Sequence, residues 1–239
     1  MPDVDVVLPV YNEEADLPRN VPIIHHFLSS DAFPYSWRIL IVDNASTDAT
    51  AEVSQKLCAE LSDVAYLRIP RKGRGHALKA AWSQSKADIV SYMDIDLSTE
   101  LTAFPALIRA IAAEGFAVAT GSRLARGAHT ARSPLREFLS RGYAFLVRRA
   151  FGTRLSDAQC GFKAADREAV QRLLPLIKDN NWFFDTELLI LAEKSGLRVA
   201  EIPVRWREDP DSTVNIGKTV VEDLRGLWRL RREQPWRRV

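Results

Sequence analysis

Ile89-Val90-Ser91-Tyr92-Met93-Asp94-Ile95-Asp96 begins as a short apolar run and ends in two carboxylates one residue apart. A run of this length and character reads as a strand buried on both faces. Alternation places both carboxylates on one side, just beyond the point where Tyr92 and Met93 close the sheet. Two hard oxygen ligands at a strand end suit Mg²⁺ or Mn²⁺ held together with substrate phosphates. A lone Asp-x-Asp occurs by chance in many proteins, so the elements around it decide its meaning.

Working outward, residues 4–10, 38–43 and 64–69 read as three more strands, with helical patterns over 12–30, 48–61 and 75–85. Thr47 or Asp48 is placed to cap the second helix. This βαβα order predicts an α/β fold, a mostly parallel sheet with helices on both faces. In such sheets ligands bind outside the carboxyl ends of the strands. Those ends carry Tyr11-Asn12-Glu13, Asp43-Asn44-Ala45-Ser46 and Asp94-Ile95-Asp96, three polar groups that point to one site. Downstream, a helix over 102–114 and a strand over 116–120 precede Pro134, which is well placed to open a helix running to residue 151. A further helix is expected over 218–232. Without repeats, low-complexity tracts or linkers, the expected organisation is one domain over residues 1–216 and a basic amphipathic helix over 217–239.

The chain has 239 residues, 46% hydrophobic and 27% charged, which excludes intrinsic disorder, collagen-like repeats and a disulfide-stapled miniature. Cys58 and Cys160 have no zinc spacing and fit a reducing compartment. No basic segment precedes an apolar stretch at the N-terminus, and no run reaches the ~18 apolar residues of a spanning helix. A cytosolic chain is expected. The net charge of +2 conceals an asymmetry: residues 123–154 hold eight arginines against Glu137, and residues 225–239 six against Glu233. An acidic body with two arginine-rich segments is expected to meet something anionic. In the first segment Leu135, Phe138, Leu139, Phe145 and Leu146 share a face roughly 120° wide, flanked by Arg136 on one side and by Arg141 and Arg148 on the other. In the second, Val220, Val221, Leu224, Leu227 and Trp228 align. Two readings stand side by side: interfacial helices on an anionic membrane surface, or helices packed on the sheet by those stripes. No nucleic-acid partner is expected.

Arg71-Lys72-Gly73-Arg74-Gly75-His76 fails as a dinucleotide fingerprint, because Leu78 stands at the third glycine position and the loop follows the third strand. A basic, Gly-rich turn opening a helix still holds anions through backbone N–H groups, so Lys72 and Gly75 read as phosphate-side or loop-shaping residues, with a plain surface turn as the alternative. Polar groups crowd Asp157-Ala158-Gln159-Cys160-Gly161-Phe162-Lys163, and two acids interrupt Trp182-Phe183-Phe184-Asp185-Thr186-Glu187-Leu188-Leu189. A helix cap is the plain alternative for Asp185. The four histidines show no ligand spacing, and no Ser–His or Cys–His nucleophile pair is recognisable.

Leu8-Pro9-Val10-Tyr11-Asn12-Glu13-Glu14, Val42-Asp43-Asn44-Ala45-Ser46-Thr47-Asp48 and Asp94-Ile95-Asp96-Leu97-Ser98-Thr99 together resemble family 2 inverting glycosyltransferases of the GT-A fold, whose Rossmann-like sheet is flanked by helices. Gly121-Ser122-Arg123, the Asp157–Lys163 stretch and Trp182-x-Phe184-Asp185-x-Glu187-Leu188 narrow the resemblance to the polyprenyl-phosphate branch. There the chain is more similar to dolichyl-phosphate β-glucosyltransferases than to mannose synthases. The six pieces follow the family's order and cover nearly the whole chain, to about Arg232.

The resemblance implies that Pro9, Tyr11, Glu13 and Asp43 surround the nucleotide base and ribose. It places Asp94 and Asp96 on Mg²⁺ or Mn²⁺ and the donor diphosphate. It sets Arg123, and Arg136 with Ser140 one helical turn on, at donor and lipid phosphates, and Asp157, Gln159 and Asp185 at the acceptor. Mannose synthases carry a glutamine where this chain has Ser98, a departure toward the glucosyltransferase-like branch. The implied reaction moves glucose from UDP-glucose to a polyprenyl or dolichyl phosphate with inversion. The spanning helices of some relatives are absent, which implies attachment at the cytoplasmic face of a membrane, peripherally or through a membrane-protein partner. A GDP-mannose donor, a soluble hydroxyl acceptor and a non-catalytic binding module remain alternatives. A sugar-1-phosphate nucleotidyltransferase fits less well, because such enzymes begin with a Gly-rich basic loop where this chain has Pro9-Val10-Tyr11-Asn12-Glu13.

Overall fold

The computed structural model describes residues 2–208 and 216–238. The chain first lays down β1 (Asp3–Val10), β2 (Ser36–Asn44), β3 (Val64–Ile69) and β4 (Ile89–Met93), separated by α1 (Leu17–Leu28), α2 (Thr50–Glu60) and α3 (Arg74–Gln84). These strands pair in parallel in the order β3-β2-β1-β4. Val4, Val6, Leu8 and Val10 of β1 join the core on one face and Val7 the core on the other, the alternation of a strand covered on both sides.

A 3₁₀ turn (Leu101–Ala103), α4 (Phe104–Ala112), β5 (Val118–Ser122), β6 (His129–Ala131), α5 (Pro134–Phe151), β7 (Phe162–Asp166), α6 (Arg167–Leu173), α7 (Phe184–Lys194), β8 (Val199–Pro203), β9 (Arg205–Arg207) and α8 (Ile216–Glu233) complete the described chain. The sheet grows to seven strands, β3-β2-β1-β4-β7-β5-β8, with β7 antiparallel to both neighbours. It is therefore mostly parallel, as expected. α1, α2 and α4 cover one face, and α3 with α5 to α8 the other. β6 and β9 form a separate ribbon, tied by a bridge between Thr99 and Trp206 to the turn after β4.

Several boundaries differ from expectation for local reasons. α1 begins at Leu17 rather than residue 12, because Asn12 sits at φ 57° and its side chain accepts the Thr47 N–H. α2 begins at Thr50; Asp48 accepts the Thr50 N–H at 3.0 Å while Glu14 takes the Ala49 N–H at 2.8 Å. The helix expected over 102–114 divides into the 3₁₀ turn and α4, and the strand expected over 116–120 runs from 118 to 122. α5 matches its expected span, with Ser133 accepting the Arg136 N–H and Gly152 left-handed after the last turn.

The apolar stripe of α5 does not pack on the sheet, and of the α8 stripe only Leu227 enters the core. α5 buries Ala144, Val147 and Phe151, which lie on the opposite side of the helix from Leu135, Phe138, Leu139, Phe145 and Leu146. Those five are 37–72% exposed. α8 buries Asp223, Leu227 and Leu230 and leaves Val220, Val221, Leu224 and Trp228 42–66% exposed. No helix among the described residues is long and apolar enough to cross a membrane.

α8 is seated closely. A Cβ on Gly226 would overlap the Phe183 ring, and Arg229 grips the fully buried Glu187 through two 2.8 Å bonds. Gly226→Ala is expected to destabilise the fold by about 1–3 kcal/mol through overpacking. Urea unfolding should show a lower midpoint at unchanged slope; an unchanged midpoint would mean that α8 does not rest on Phe183.

Candidate active site

Because β7 runs antiparallel, its first residues lie beside the last residues of β4, with Phe162 opposite Met93 and Lys163 opposite Tyr92. This brings the Asp157–Lys163 turn against Asp94. The Asp94 N–H donates to the Gly161 carbonyl at 3.2 Å, and a Cβ on Gly161 would occupy the place of the Asp94 carboxylate. Asp94 holds the Arg74 guanidinium at 2.6 Å. That guanidinium lies 3.9 Å from Asp185 and over the rings of Tyr92 and Trp182. Burial works against its charge, but Asp94, Tyr92 and Asp185 outweigh it and raise its pKa above the ordinary range.

Asp185 does not cap α7. It is buried, accepts a hydrogen bond from the Tyr92 hydroxyl, and pairs at 3.3 Å with Lys163. Lys163 is itself fully buried and donates to the Cys160 carbonyl at 2.5 Å. Past the strand end, Ile95 enters the core while Asp94 is half-buried and Asp96 exposed, so both carboxylates stay outside the core as alternation predicts. Asp96 accepts the Ser98 N–H at 2.9 Å. It borders an open cleft of about 970 Å³ lined also by His129, Arg205, Trp206 and Glu208. Among the described residues no three His, Cys, Asp or Glu side chains gather as a metal shell. One carboxylate on an open cleft and a second two residues away, held by Arg74, fit a divalent ion that takes its remaining ligands from a diphosphate, rather than a caged one.

At the ends of β1 and β2, the two following turns are tied together. The Asn12 N–H donates to Ser46 Oγ at 2.9 Å and the Glu13 N–H to Thr50 Oγ1 at 2.8 Å. Pro9 is half-buried in β1, and Lys72 lies 3.4 Å over the Tyr11 ring. Asp43 is fully buried and accepts from the Ser46 N–H and the Tyr66 hydroxyl, both at 2.8 Å. Burial, then the bond to Asp43, pushes the Tyr66 hydroxyl up to about 12. Gly73, at φ 151°, donates its N–H to Asn44 at 2.6 Å. Further into α3, the His76 N–H is taken by the Asn180 carbonyl and the Ala77 N–H by Gly73. Gly75 packs with its would-be Cβ 2.8 Å from Phe184, a close approach that shapes the loop.

On the opposite side, Asp157 and Arg123 meet in a two-pronged pair at 2.7 and 2.9 Å, and the Arg123 backbone N–H adds a third bond. Arg123 is thus engaged by another predicted site residue. Burial opposes ionisation of Asp157, but the Arg123 charge overrides it and holds the carboxyl well below the usual range. Glu201 of β8 fixes this turn through the Ser156 and Asp157 N–H groups. Gln159 donates to Asp223 of α8 at 2.7 Å. Arg136 and Ser140 hold different partners: Arg136 pairs with Glu208 at 2.8 Å, on the rim of the cleft, and Ser140 accepts from Arg132 at 3.0 Å.

Comparison with known proteins joins this geometry to a family. The sequence model of glycosyl transferase family 2 matches residues 5–174, from β1 to the end of α6. The chain belongs to that family. It is 35% identical over 237 residues to glycosyltransferase AglD of Haloferax volcanii, covering 95% of this chain and 37% of AglD. It is 33% identical over 223 residues to dolichyl-phosphate beta-glucosyltransferase ALG5C of Trichomonas vaginalis, covering 88% of this chain and 65% of ALG5C. The Saccharomyces cerevisiae dolichyl-phosphate beta-glucosyltransferase is 32% identical over 225 residues, covering 86% and 67%. The chain thus spans little more than a third of AglD and just under two thirds of ALG5C. Among solved structures, Mycobacterium tuberculosis glucosyl-3-phosphoglycerate synthase superposes with a TM-score of 0.67 at 21% identity, over 95% of this chain and 80% of that one. That likeness establishes the GT-A fold. The same synthase has been crystallised with Mn²⁺, UDP and glucosyl-3-phosphoglycerate, a structure matching at TM-score 0.67 and 20% identity over the same shares of the two chains.

Within this family member, Arg74, Lys163, Tyr92 and Asp223 went unselected by sequence reading. Arg74 stands in a motif whose glycines carry the sequence signal, and Lys163 ends a stretch distinguished in sequence only by its polarity. The remaining signal was weak, since each acquires its meaning from a carboxylate or amide distant in sequence.

The Arg123–Asp157 pair generates a pH prediction. A carboxyl depressed in the folded state contributes stability above its unfolded pKa, and that contribution is lost as pH falls through the folded value. In Arg123→Gln the guanidinium is gone and burial is opposed only by the backbone N–H groups of residues 123 and 159, so ionising Asp157 gains far less. The stability difference between wild type and variant, from urea unfolding, should therefore widen as pH rises from 3 to 7. A difference independent of pH would refute the pairing.

Proposed function

We propose that the chain transfers a hexose, glucose, from UDP-glucose to a polyprenyl or dolichyl phosphate, with inversion and with a divalent ion, at the surface of a membrane. The names of the similar glucosyltransferases support the sugar and the lipid. The observation that carries the lipid acceptor is the exposed apolar stripe of α5, which begins at Leu135, next to Arg136 on the rim of the cleft. A soluble acceptor gives no reason for five large apolar side chains to face water on the side of the helix away from the core. In this reading α5 and α8 lie in the interface at the cytoplasmic face and their arginines meet anionic head groups. The C-terminal helix and the catalytic domain then act as one unit.

Pro9, Tyr11, Glu13 and Asp43 would receive the nucleotide base and ribose. Asp94 and Asp96 would hold Mg²⁺ or Mn²⁺, which as a Lewis acid offsets negative charge on a bound diphosphate. Arg74, already on Asp94, supplies a preorganised cation where the charge of the leaving diphosphate develops. Arg136 and Ser140 would orient the lipid phosphate, whose oxygen attacks the anomeric carbon from the face opposite the leaving group. A phosphate monoester has a second pKa of about 6 and arrives largely ionised, so no general base is required. The engagement of Asp185 by Lys163 and of Asp157 by Arg123 supports orienting roles for both carboxylates.

Incubation with radiolabelled UDP-glucose or GDP-mannose and a short polyprenyl phosphate tests the reaction. Labelled lipid is expected from UDP-glucose with Mg²⁺ or Mn²⁺, with none in excess EDTA and none from Asp96→Ala at an unchanged circular-dichroism spectrum. Undiminished transfer in EDTA would remove the metal from the scheme, and labelling of soluble hydroxyl acceptors alone would remove the lipid. Membrane attachment is tested separately by sedimentation with anionic vesicles. Phe138 and Phe145 are 72% and 64% exposed, and burying such a side chain is worth about 2 kcal/mol. Each change to serine should weaken vesicle binding about 30-fold, leave the unfolding midpoint within error of wild type, and leave the remaining binding sensitive to salt. Vesicle binding equal to wild type would mean that this face serves another purpose.

A further inference from the structure

One buried carboxylate that this scheme leaves unused is Asp223. It lies on α8 and is 3% exposed. Oδ2 accepts from Gln159 Nε2 at 2.7 Å, and Oδ1 is enclosed without a hydrogen-bond partner among the described residues. Buried polar atoms in folded proteins are nearly always matched, and leaving one unmatched costs free energy. A helix that only needed to pack could place leucine or alanine here, as it does at Leu227 and Leu230. The expense falls at one end of a short chain of contacts into the site. The Gln159 N–H donates to Asp157, the following turn reaches Gly161, and the Gly161 carbonyl takes the Asp94 N–H. Tyr143 of α5, Asp185 of α7, Asp179 before α7 and Glu222 of α8 lie within electrostatic range of the carboxyl. Burial, with Asp179, Asp185 and Glu222, pushes it up to about 7 against the opposing bond from Gln159.

We infer that Asp223 is a positioning residue of the transfer site: it commits Gln159 Nε2 to the C-terminal helix and leaves Gln159 Oε1 as an acceptor for a hydroxyl-bearing ligand such as the transferred hexose. The inference rests on the proposed reaction for its ligand, but the contact itself can be tested without turnover. α8 is then part of the site.

Asp223→Ala and Asp223→Asn separate positioning from packing, because asparagine keeps an oxygen for Gln159 while alanine does not. At saturating metal and lipid, Asp223→Ala should lower kcat by about 10-fold or more, as misplacement of a site group does, with the KM for UDP-glucose nearly unchanged. Asp223→Asn should restore most of that rate. In parallel, hydrogen exchange of the Gln159 side-chain amide, followed by NMR without substrates, should be slow in wild type and Asp223→Asn and fast in Asp223→Ala. Wild-type kcat in the alanine variant, or a loss that asparagine does not restore, would overturn the inference, as would unaltered Gln159 exchange. If the wild-type protein moves no glucose to polyprenyl phosphate, the proposed reaction fails, and Gln159 exchange alone then decides whether Asp223 positions it.

Discussion

The buried ammonium of Lys163 is the constraint on which the rest of the site depends. A charged nitrogen can be taken wholly out of water only where opposite charge and hydrogen-bond acceptors receive it. Here Asp185 and the Cys160 carbonyl do so. Satisfying that nitrogen fixes β7 against the start of α7 and bends the preceding turn back over the ammonium. The same carboxylate takes the Tyr92 hydroxyl and lies near Arg74, whose other partner is Asp94. One buried cation therefore orders a strand, a helix and the catalytic end of the sheet together. Remote packing and local chemistry are here the same set of contacts.

The first half of the fold was legible because β1 to β4 are short apolar runs whose periodicity suffices to identify them. β7 was not, since Phe162-Lys163-Ala164-Ala165-Asp166 carries a charge and two small residues. Only tertiary pairing hides the lysine. β9 reads Arg-Trp-Arg and gains strand geometry from β6 and from the turn after β4, partners no local pattern announces. α5 was legible in full, because its start and stop are written in Ser133, Pro134 and Gly152. The orientation of α5 and α8 was open between two readings, as an apolar stripe shows amphipathicity but not which side meets protein.

At the site, Asp94 and Asp96 stood out because two carboxylates at a strand end are unusual as a pattern. The cations that manage them did not. Arg74 is one of three basic residues in its loop, and the loop does not reveal that this one turns inward while Lys72 lies over Tyr11. Arg123 and Asp157 had been read as separate contributors on opposite sides of the reaction, and the structure joins them. The consequence is chemical: Asp157 and Asp185 are already committed to cations, which in the proposed reaction suits an acceptor that arrives as its own nucleophile.

The two amphipathic helices also differ in how they are built, and this bears on how each can change. Along α5 the side that holds the fold and the side that faces out are diametrically opposed, so adhesion and stability are independent variables. A polar residue on the outer arc alters one and spares the other. Along α8 the outward apolar residues adjoin the arc bearing Asp223, Gly226 and Leu227, so a change at Val220 or Leu224 presses on the neighbouring face. Such a helix has little freedom to drift. A lineage or an engineer altering the outward faces of these helices would find α5 permissive and α8 resistant, because on α8 the outer face and the seat share a border.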